Sequence, residues 1–189
     1  FMWLSALSTG LVGDIRIGFA LPSLVAGAAT LGLSVDLIRR LHGRHTAFIA
    51  GLWLLASVQF ILQARTAQID MLVTAFILLG SWGLLRHALL NDGVRYFYLG
   101  CFAMGLGILT KGVGFLPLLM LPFWLMAARH ASIWRSSGRR AGQLTSRELL
   151  IGLCWMLAAP LLWVGPMLVM SFVSGDSELA AYRDNILLK

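Results

Sequence analysis

The sequence has little charge and almost no cysteine. Charged residues make up 12% of the 189-residue chain and hydrophobic residues 59%, and the mean hydropathy is +0.83. Soluble domains carry about 25% charged residues, so this composition excludes an ordinary soluble protein and predicts a membrane protein. The only two cysteines, Cys101 and Cys154, lie inside apolar runs. We expect them to be small buried side chains and not a disulfide or a metal pair.

Acidic residues are scarce as well. The sequence has eight Asp and Glu residues and fifteen Lys and Arg residues, so the net charge is +7 and the pI is about 10.5. In a soluble protein this excess would suggest a nucleic-acid partner. Here we expect no nucleic acid, because arginine-rich loops beside anionic lipid headgroups explain the charge.

Several catalytic motifs are absent from the sequence. It has no His-Glu-x-x-His or clustered metal ligands and no Gly-x-Ser-x-Gly elbow, which argues against a zinc enzyme and a serine hydrolase. The glycine-rich stretch from Gly105 to Gly114 does not form a nucleotide loop, because Lys111 precedes Gly112 and the Walker pattern needs the reverse order. We therefore predict no metal site and no certain cofactor.

The intervals between the apolar runs alternate in charge. Ten of the fifteen basic residues lie in arginine-crowded intervals: Arg39, Arg40 and Arg44; Arg86 and Arg95; and Arg129, Arg135, Arg139, Arg140 and Arg147. The positive-inside rule places these in the cytoplasm. The remaining intervals then lie outside: Asp14 with Arg16, Arg65 with Asp70, Lys111, and the tail from Asp176 to Lys189.

The apolar runs predict an all-α fold, a polytopic transmembrane helix bundle of about six spans with the first truncated. Phe1 to Val12 is shorter than the roughly 20 residues a span needs. The others run approximately over 17–37, 46–62, 71–85, 96–109, 113–128 and 149–173. Glycine and alanine inside the runs predict close helix packing, and the prolines predict kinks.

Two charged positions at the outer boundary are candidates for a site. Asp70 directly precedes an apolar run, and an ionisable group held there is expensive unless it is paired or functional. Lys111 lies outside against the positive-inside bias, which suggests an anionic ligand such as a lipid phosphate. The alternatives are an interfacial salt bridge from Asp70 to the nearby Arg65 and a snorkelling lysine at a helix end.

The end of the sequence, 175–189, predicts the start of a periplasmic amphipathic segment. Leu179, Tyr182 and Ile186 can share one helix face. A solvated surface helix is the alternative. The segment has no helix-stop signal, so we expect it to be interrupted and interpret 1–189 as a partial transmembrane domain.

Three segments together resemble a known family. Phe19-Ala-Leu-Pro-Ser23, Ala64-Arg-Thr-Ala-Gln-Ile-Asp70 and Gly105-Leu-Gly-Ile-Leu-Thr-Lys-Gly112 resemble, in order and spacing, the polyprenyl-phosphate-sugar glycosyltransferases of the family 39 type. This group includes protein O-mannosyltransferases and the aminoarabinose lipid A transferase. The sequence departs from the family at Ala20, where an arginine is usual, and at Val113, where a proline is usual.

The resemblance implies a multi-pass enzyme of the bacterial inner membrane with a periplasmic active face. It would move a sugar from a polyprenyl-phosphate donor to an unknown acceptor, with inversion, among membrane lipids. Asp70 would match an acid that helps to form the site, and Lys111 the lysine of the Thr-Lys-Gly turn. Arg65 and Arg16 would contribute to binding the lipid phosphate or sugar; Arg16 lies one helical turn before Ala20.

The family's principal catalytic acid lies in an outer loop upstream of the helix that ends near Val12. The resemblance therefore implies that 1–189 is the middle fragment of a larger enzyme, and we expect it to be inactive alone. Two other classes remain open. A secondary transporter would bind near the bilayer midplane and usually show a repeat; a non-catalytic assembly subunit would tolerate replacement of Asp70 and Lys111.

Overall fold

A computed structural model describes residues 2–90, 92–119, 122 and 145–173. Its described residues are helical apart from short connections. The longer helices are α1 (Met2–Val12), α2 (Ile15–His42), α3 (Arg44–Ala56), α4 (Val58–Arg65), α5 (Ile69–Leu90), α6 (Val94–Lys111) and α7 (Ser146–Val173). The all-α class is confirmed. The segment 175–189 lies outside the described residues.

Three of these helices are long and apolar enough to cross a membrane: α2, α5 and the part Ser146–Pro166 of α7. A fourth candidate is α3 together with α4, which are bent by 68° at a break around Ser57. The apolar run over 46–62 predicted one uninterrupted span there. The chain is thus a multi-pass membrane bundle, and one of its predicted spans is broken.

Local signals set the helix ends. The Asp14 carboxylate accepts a hydrogen bond from the backbone N–H of Arg16 at 2.8 Å, which caps the start of α2. Helix α6 ends at Gly112, which has φ +76° and ψ −18°, and the Gly112 N–H donates to the Ile108 carbonyl at 2.8 Å. Glycine adopts this left-handed conformation without a Cβ penalty. The predicted apolar runs 96–109 and 113–128 leave a gap here, and the helix ends within that gap.

Close contact between helix backbones holds the bundle together, as the small residues predicted. A Cβ on Gly83 would lie 2.4 Å from the Tyr96 carbonyl oxygen, and one on Gly105 would lie 2.2 Å from the Met156 carbonyl oxygen. These positions join α5 to α6 and α6 to α7. Between them lies a core cluster of Leu84, Phe97, Cys101, Met104 and Met156.

The two cysteines differ. Cys101 is buried in that cluster, as expected, whereas Cys154 is exposed on α7. Both are free thiols in the structure.

Helix α2 continues through Pro22, and the proline has a visible consequence. Proline has no N–H, so the carbonyl four residues earlier, that of Gly18, loses its partner within the helix. The Ser8 hydroxyl of α1 donates a hydrogen bond to that carbonyl. A Cβ on Gly18 would lie 2.5 Å from the Thr9 Cα, so α1 also packs closely here. Pro22 therefore helps to attach α1 to α2.

Candidate functional site

Asp70 and Lys111, both predicted as site residues from their positions in the sequence, are in direct contact. The Lys111 ammonium donates a hydrogen bond to Asp70 Oδ1 and forms an ion pair with it. Asp70 lies in the first turn of α5 and Lys111 in the last turn of α6. Each charge also complements the dipole of its own helix end. Lys111 is therefore not the solitary cation that the sequence indicated.

The pair is open to its surroundings. The side chains of Lys111 and Asp70 are 52% and 45% exposed. An ion pair this exposed contributes little to stability, about 0–1 kcal/mol. An anion can therefore approach the ammonium group without the chain having to unfold around it.

A second contact fixes the backbone beside Asp70. The Ser23 hydroxyl donates to the Gln68 carbonyl at 3.2 Å and accepts from the Gln68 N–H at 3.1 Å. Ser23 is fully buried, so its hydroxyl has little water to compete for these bonds. It thereby ties the loop between α4 and α5 to α2, two residues before Asp70. The sequence reasoning noted Ser23 only as part of a motif and missed this contact.

The two arginines predicted as binding residues lie apart from the pair. Arg16 is exposed near the start of α2, and Arg65 is exposed at the end of α4. Neither side chain forms an ion pair with another described residue. Ser23 is at the level of the α4–α5 loop, and Arg16 precedes it by seven residues, which places Arg16 about 10 Å further along the helix axis. The structure thus brings Asp70 and Lys111 together, and neither arginine takes part in their ion pair.

The other end of the same helices carries a second charged cluster, which the sequence reasoning treated only as loop charge. Asp36 accepts from Arg40 at 2.8 Å and from the Trp82 indole N–H at 3.0 Å. Arg86 binds Asp92 through Nη2 at 2.8 Å and Nε at 2.9 Å. We name this cluster the arginine network; its members are Asp36, Arg40, Trp82, Arg86, Asp92 and Tyr96.

Arg86 is the centre of the arginine network and is only 7% exposed. Its guanidinium carbon lies 3.6 Å from the centroid of the Tyr96 ring and 4.6 Å from that of Trp82. Arg40 lies 3.7 Å from Asp92 and so connects the two carboxylates. Cation–π contacts and paired carboxylates together offset the cost of burying this charge.

The two clusters mark opposite ends of the bundle. Asp70 and Arg86 are sixteen residues apart on α5, or about 24 Å along its axis. This agrees with the predicted separation of a sparse face from an arginine-crowded face. Among the described residues no group of three His, Cys, Asp or Glu side chains is arranged to hold a metal ion.

The helices and their charged ends define a polytopic membrane protein with one accessible ion pair at one rim. A family model described as dolichyl-phosphate-mannose-protein mannosyltransferase matches residues 1–163. The chain belongs to this family, and it is a membrane glycosyltransferase of the mannosyltransferase type. Comparison with curated proteins and with solved structures gave no match.

Proposed function

We propose that this protein transfers a sugar from a polyprenyl-phosphate carrier to a hydroxyl acceptor, and that Lys111, positioned by Asp70, binds the phosphate of the donor. The observation that carries the proposal is the exposed ammonium of Lys111, held at the membrane boundary by a carboxylate from the neighbouring helix. In a family of lipid-linked sugar transferases, such a cation suits a lipid phosphate. The acceptor hydroxyl belongs to a lipid, a glycan or a protein.

The proposed reaction inverts the anomeric carbon. A carboxylate from an outer loop removes the proton of the acceptor, and the acceptor oxygen attacks the anomeric carbon. The bond from this carbon to the phosphate oxygen breaks, and its electron pair stays on the phosphate. Lys111 stabilises that charge; one well-placed group of this kind is worth about 3 kcal/mol, or roughly a hundredfold in rate.

Asp70 has a positioning role in this proposal. Its carboxylate restrains the flexible lysine side chain, so the ammonium is already in place when the donor arrives. Ser23 supports Asp70 through the loop at Gln68. Arg65 and Arg16 contact the donor beyond the phosphate, since both are exposed beside the same rim. We place this rim on the periplasmic side of a bacterial inner membrane, because the arginine-crowded rim lies opposite.

The test is sugar transfer by the full-length protein in membrane vesicles, with a radiolabelled polyprenyl-phosphate sugar as donor. Lys111→Ala should lower the rate of transfer about a hundredfold, and Lys111→Arg should retain part of the wild-type rate. The rate of Asp70→Asn should lie between those of the wild type and Lys111→Ala. Arg44→Gln is the control, because Arg44 is an exposed cation at the opposite rim. Transfer that is near normal in both Lys111→Ala and Asp70→Asn would refute the assignment and favour a non-catalytic assembly subunit.

A further inference from the structure

We propose that the arginine network positions Lys111 beside Asp70 from the far end of the bundle, so that Arg86 is a positioning residue for transfer. This inference rests on the proposed function. Arg86 touches neither Asp70 nor Lys111, and it acts through the helices that carry them.

The same helices are joined at both ends. In the arginine network, Asp36 of α2 accepts a hydrogen bond from Trp82 of α5, and Arg40 of α2 is linked to Arg86 of α5 through Asp92. Tyr96 at the start of α6 covers the Arg86 guanidinium. At the other rim, α2 supplies Ser23, α5 supplies Asp70 and α6 supplies Lys111.

The connection between the two ends is rigid. Neither α5 nor α6 contains a proline, and their backbones touch at Gly80, Gly83 and Gly100. A change in tilt at one end is therefore carried to the other. A 5° rotation about the arginine network would move Asp70 by about 2 Å over the 24 Å between them. A displacement of about 1 Å in a catalytic group can cost a hundredfold in rate.

The two ends differ in strength. The Asp70–Lys111 pair is about half exposed and cannot alone fix how α5 meets α6. Arg86 is buried, donates one hydrogen bond through Nε to Asp92, forms an ion pair with the same carboxylate oxygen through Nη2 and makes two ring contacts. Together with the backbone contact at Gly83, the network therefore fixes the relative tilt of α5 and α6 at the end opposite the pair.

The experiment measures whether the two ends are coupled. Arg86→Gln is introduced into the full-length protein and into its Lys111→Ala variant, and kcat for transfer is measured in vesicles at equal amounts of membrane-inserted protein. Arg86→Gln should lower kcat by about fivefold or more in the first background. In the second it should have little further effect, because the ammonium that it positions has been removed. Independent sites this far apart would instead show additive losses.

Arg95→Gln is the matched control, since Arg95 is an exposed arginine beside the network that makes no ion pair with another described residue. It should leave kcat unchanged in both backgrounds. If Arg86→Gln does not accumulate in membranes, Trp82→Phe is used in its place. This substitution keeps an aromatic ring at position 82 but removes the hydrogen bond to Asp36. Trp82→Phe should lower kcat by a smaller factor than Arg86→Gln. This decrease should likewise be absent in the Lys111→Ala background.

A distance measurement gives a readout that does not depend on activity. Spin labels at Ala67 and Val113, in a protein with Cys101 and Cys154 replaced by alanine, report the separation of the α4–α5 loop from the end of α6. Arg86→Gln should broaden or shift this distance, and Arg95→Gln should not.

Three outcomes would overturn the inference. If Arg86→Gln lowers kcat equally in both backgrounds, or leaves kcat and the label distance unchanged, only the positioning role of Arg86 fails. If Lys111→Ala itself leaves transfer normal, the proposed function fails and this inference fails with it.

Discussion

The two rims of this bundle hold charge in opposite ways. At one rim a single lysine meets a single aspartate, and both side chains are about half exposed. At the other, Arg86 is buried between two aromatic rings and a carboxylate, and a second arginine joins that carboxylate to another. The exposed pair is available to a ligand, whereas the arginine network is already saturated with partners.

This contrast separates stability from activity. Removing Arg86 from the network takes away a buried charge, its two ring contacts and the nearest partner of Asp92, so the folded state should be destabilised. Removing a charge from the exposed pair should destabilise the fold only slightly, but it should lower the rate of sugar transfer. The same type of substitution should thus have different consequences at the two rims.

The largest effect on stability is expected for Arg86→Gln. The arginine side chain of this ion pair is 9% exposed and its carboxylate 30% exposed, and two ring contacts are lost as well, so we expect a loss of about 3 kcal/mol from the ion pair and the ring contacts together. Thermal unfolding of the purified protein in detergent should show a markedly lower midpoint than wild type. A midpoint within one degree of wild type would mean that the network is not a major source of stability.

The next effect is expected for Gly83→Ala, at the α5–α6 contact beside the network. The new Cβ would meet the Tyr96 carbonyl at 2.4 Å and Gly100 Cα at 2.8 Å, and both are backbone atoms. We expect a loss of about 2 kcal/mol from overpacking, measured by the same unfolding experiment. Gly32→Ala is the control, because nothing lies within 4 Å of a Cβ there. An equal loss in the two variants would contradict the packing explanation.

An intermediate effect is expected for Ser23→Ala. It removes two hydrogen bonds to Gln68 in a buried place, which should cost about 1 kcal/mol or somewhat more. Transfer should also fall, because the loop before Asp70 is released. Ser34→Ala, in the same helix and without a side-chain hydrogen bond to a described residue, should change neither. A normal rate of transfer by Ser23→Ala would show that Ser23 does not support the site.

The smallest effect on stability is expected for Lys111→Gln. Because the ion pair is exposed, its loss should cost less than about 1 kcal/mol. Unfolding should therefore be close to wild type while transfer is strongly reduced. A large drop in the unfolding midpoint would show that the pair is structural, and it would reverse the comparison between the rims.

The meeting of Asp70 and Lys111 was within reach of sequence reasoning. Each follows or precedes an apolar run, and runs that alternate in direction bring every second interval to the same rim. The left-handed cap at Gly112 was also readable, since a glycine after a lysine is a common end for a helix.

The arginine network was not within reach. Asp36 meets Trp82 across 46 positions, and this contact depends on how α2 and α5 are rotated about their own axes. The charge of a loop does not reveal that rotation. The break at Ser57 was missed for a related reason: the residues on both sides are apolar, so hydropathy continues through a bend that only the packing of α3 and α4 defines.

Pro22 shows that the best residue for a helix is not always the best for a bundle. Any residue with an amide hydrogen at this position would close the turn of α2 internally and satisfy the Gly18 carbonyl. The Ser8 hydroxyl would then share this acceptor with a backbone N–H of α2. A substitution that stabilises α2 in isolation should therefore weaken its hydrogen bond to α1. Helix α1 should then dissociate from the bundle more readily.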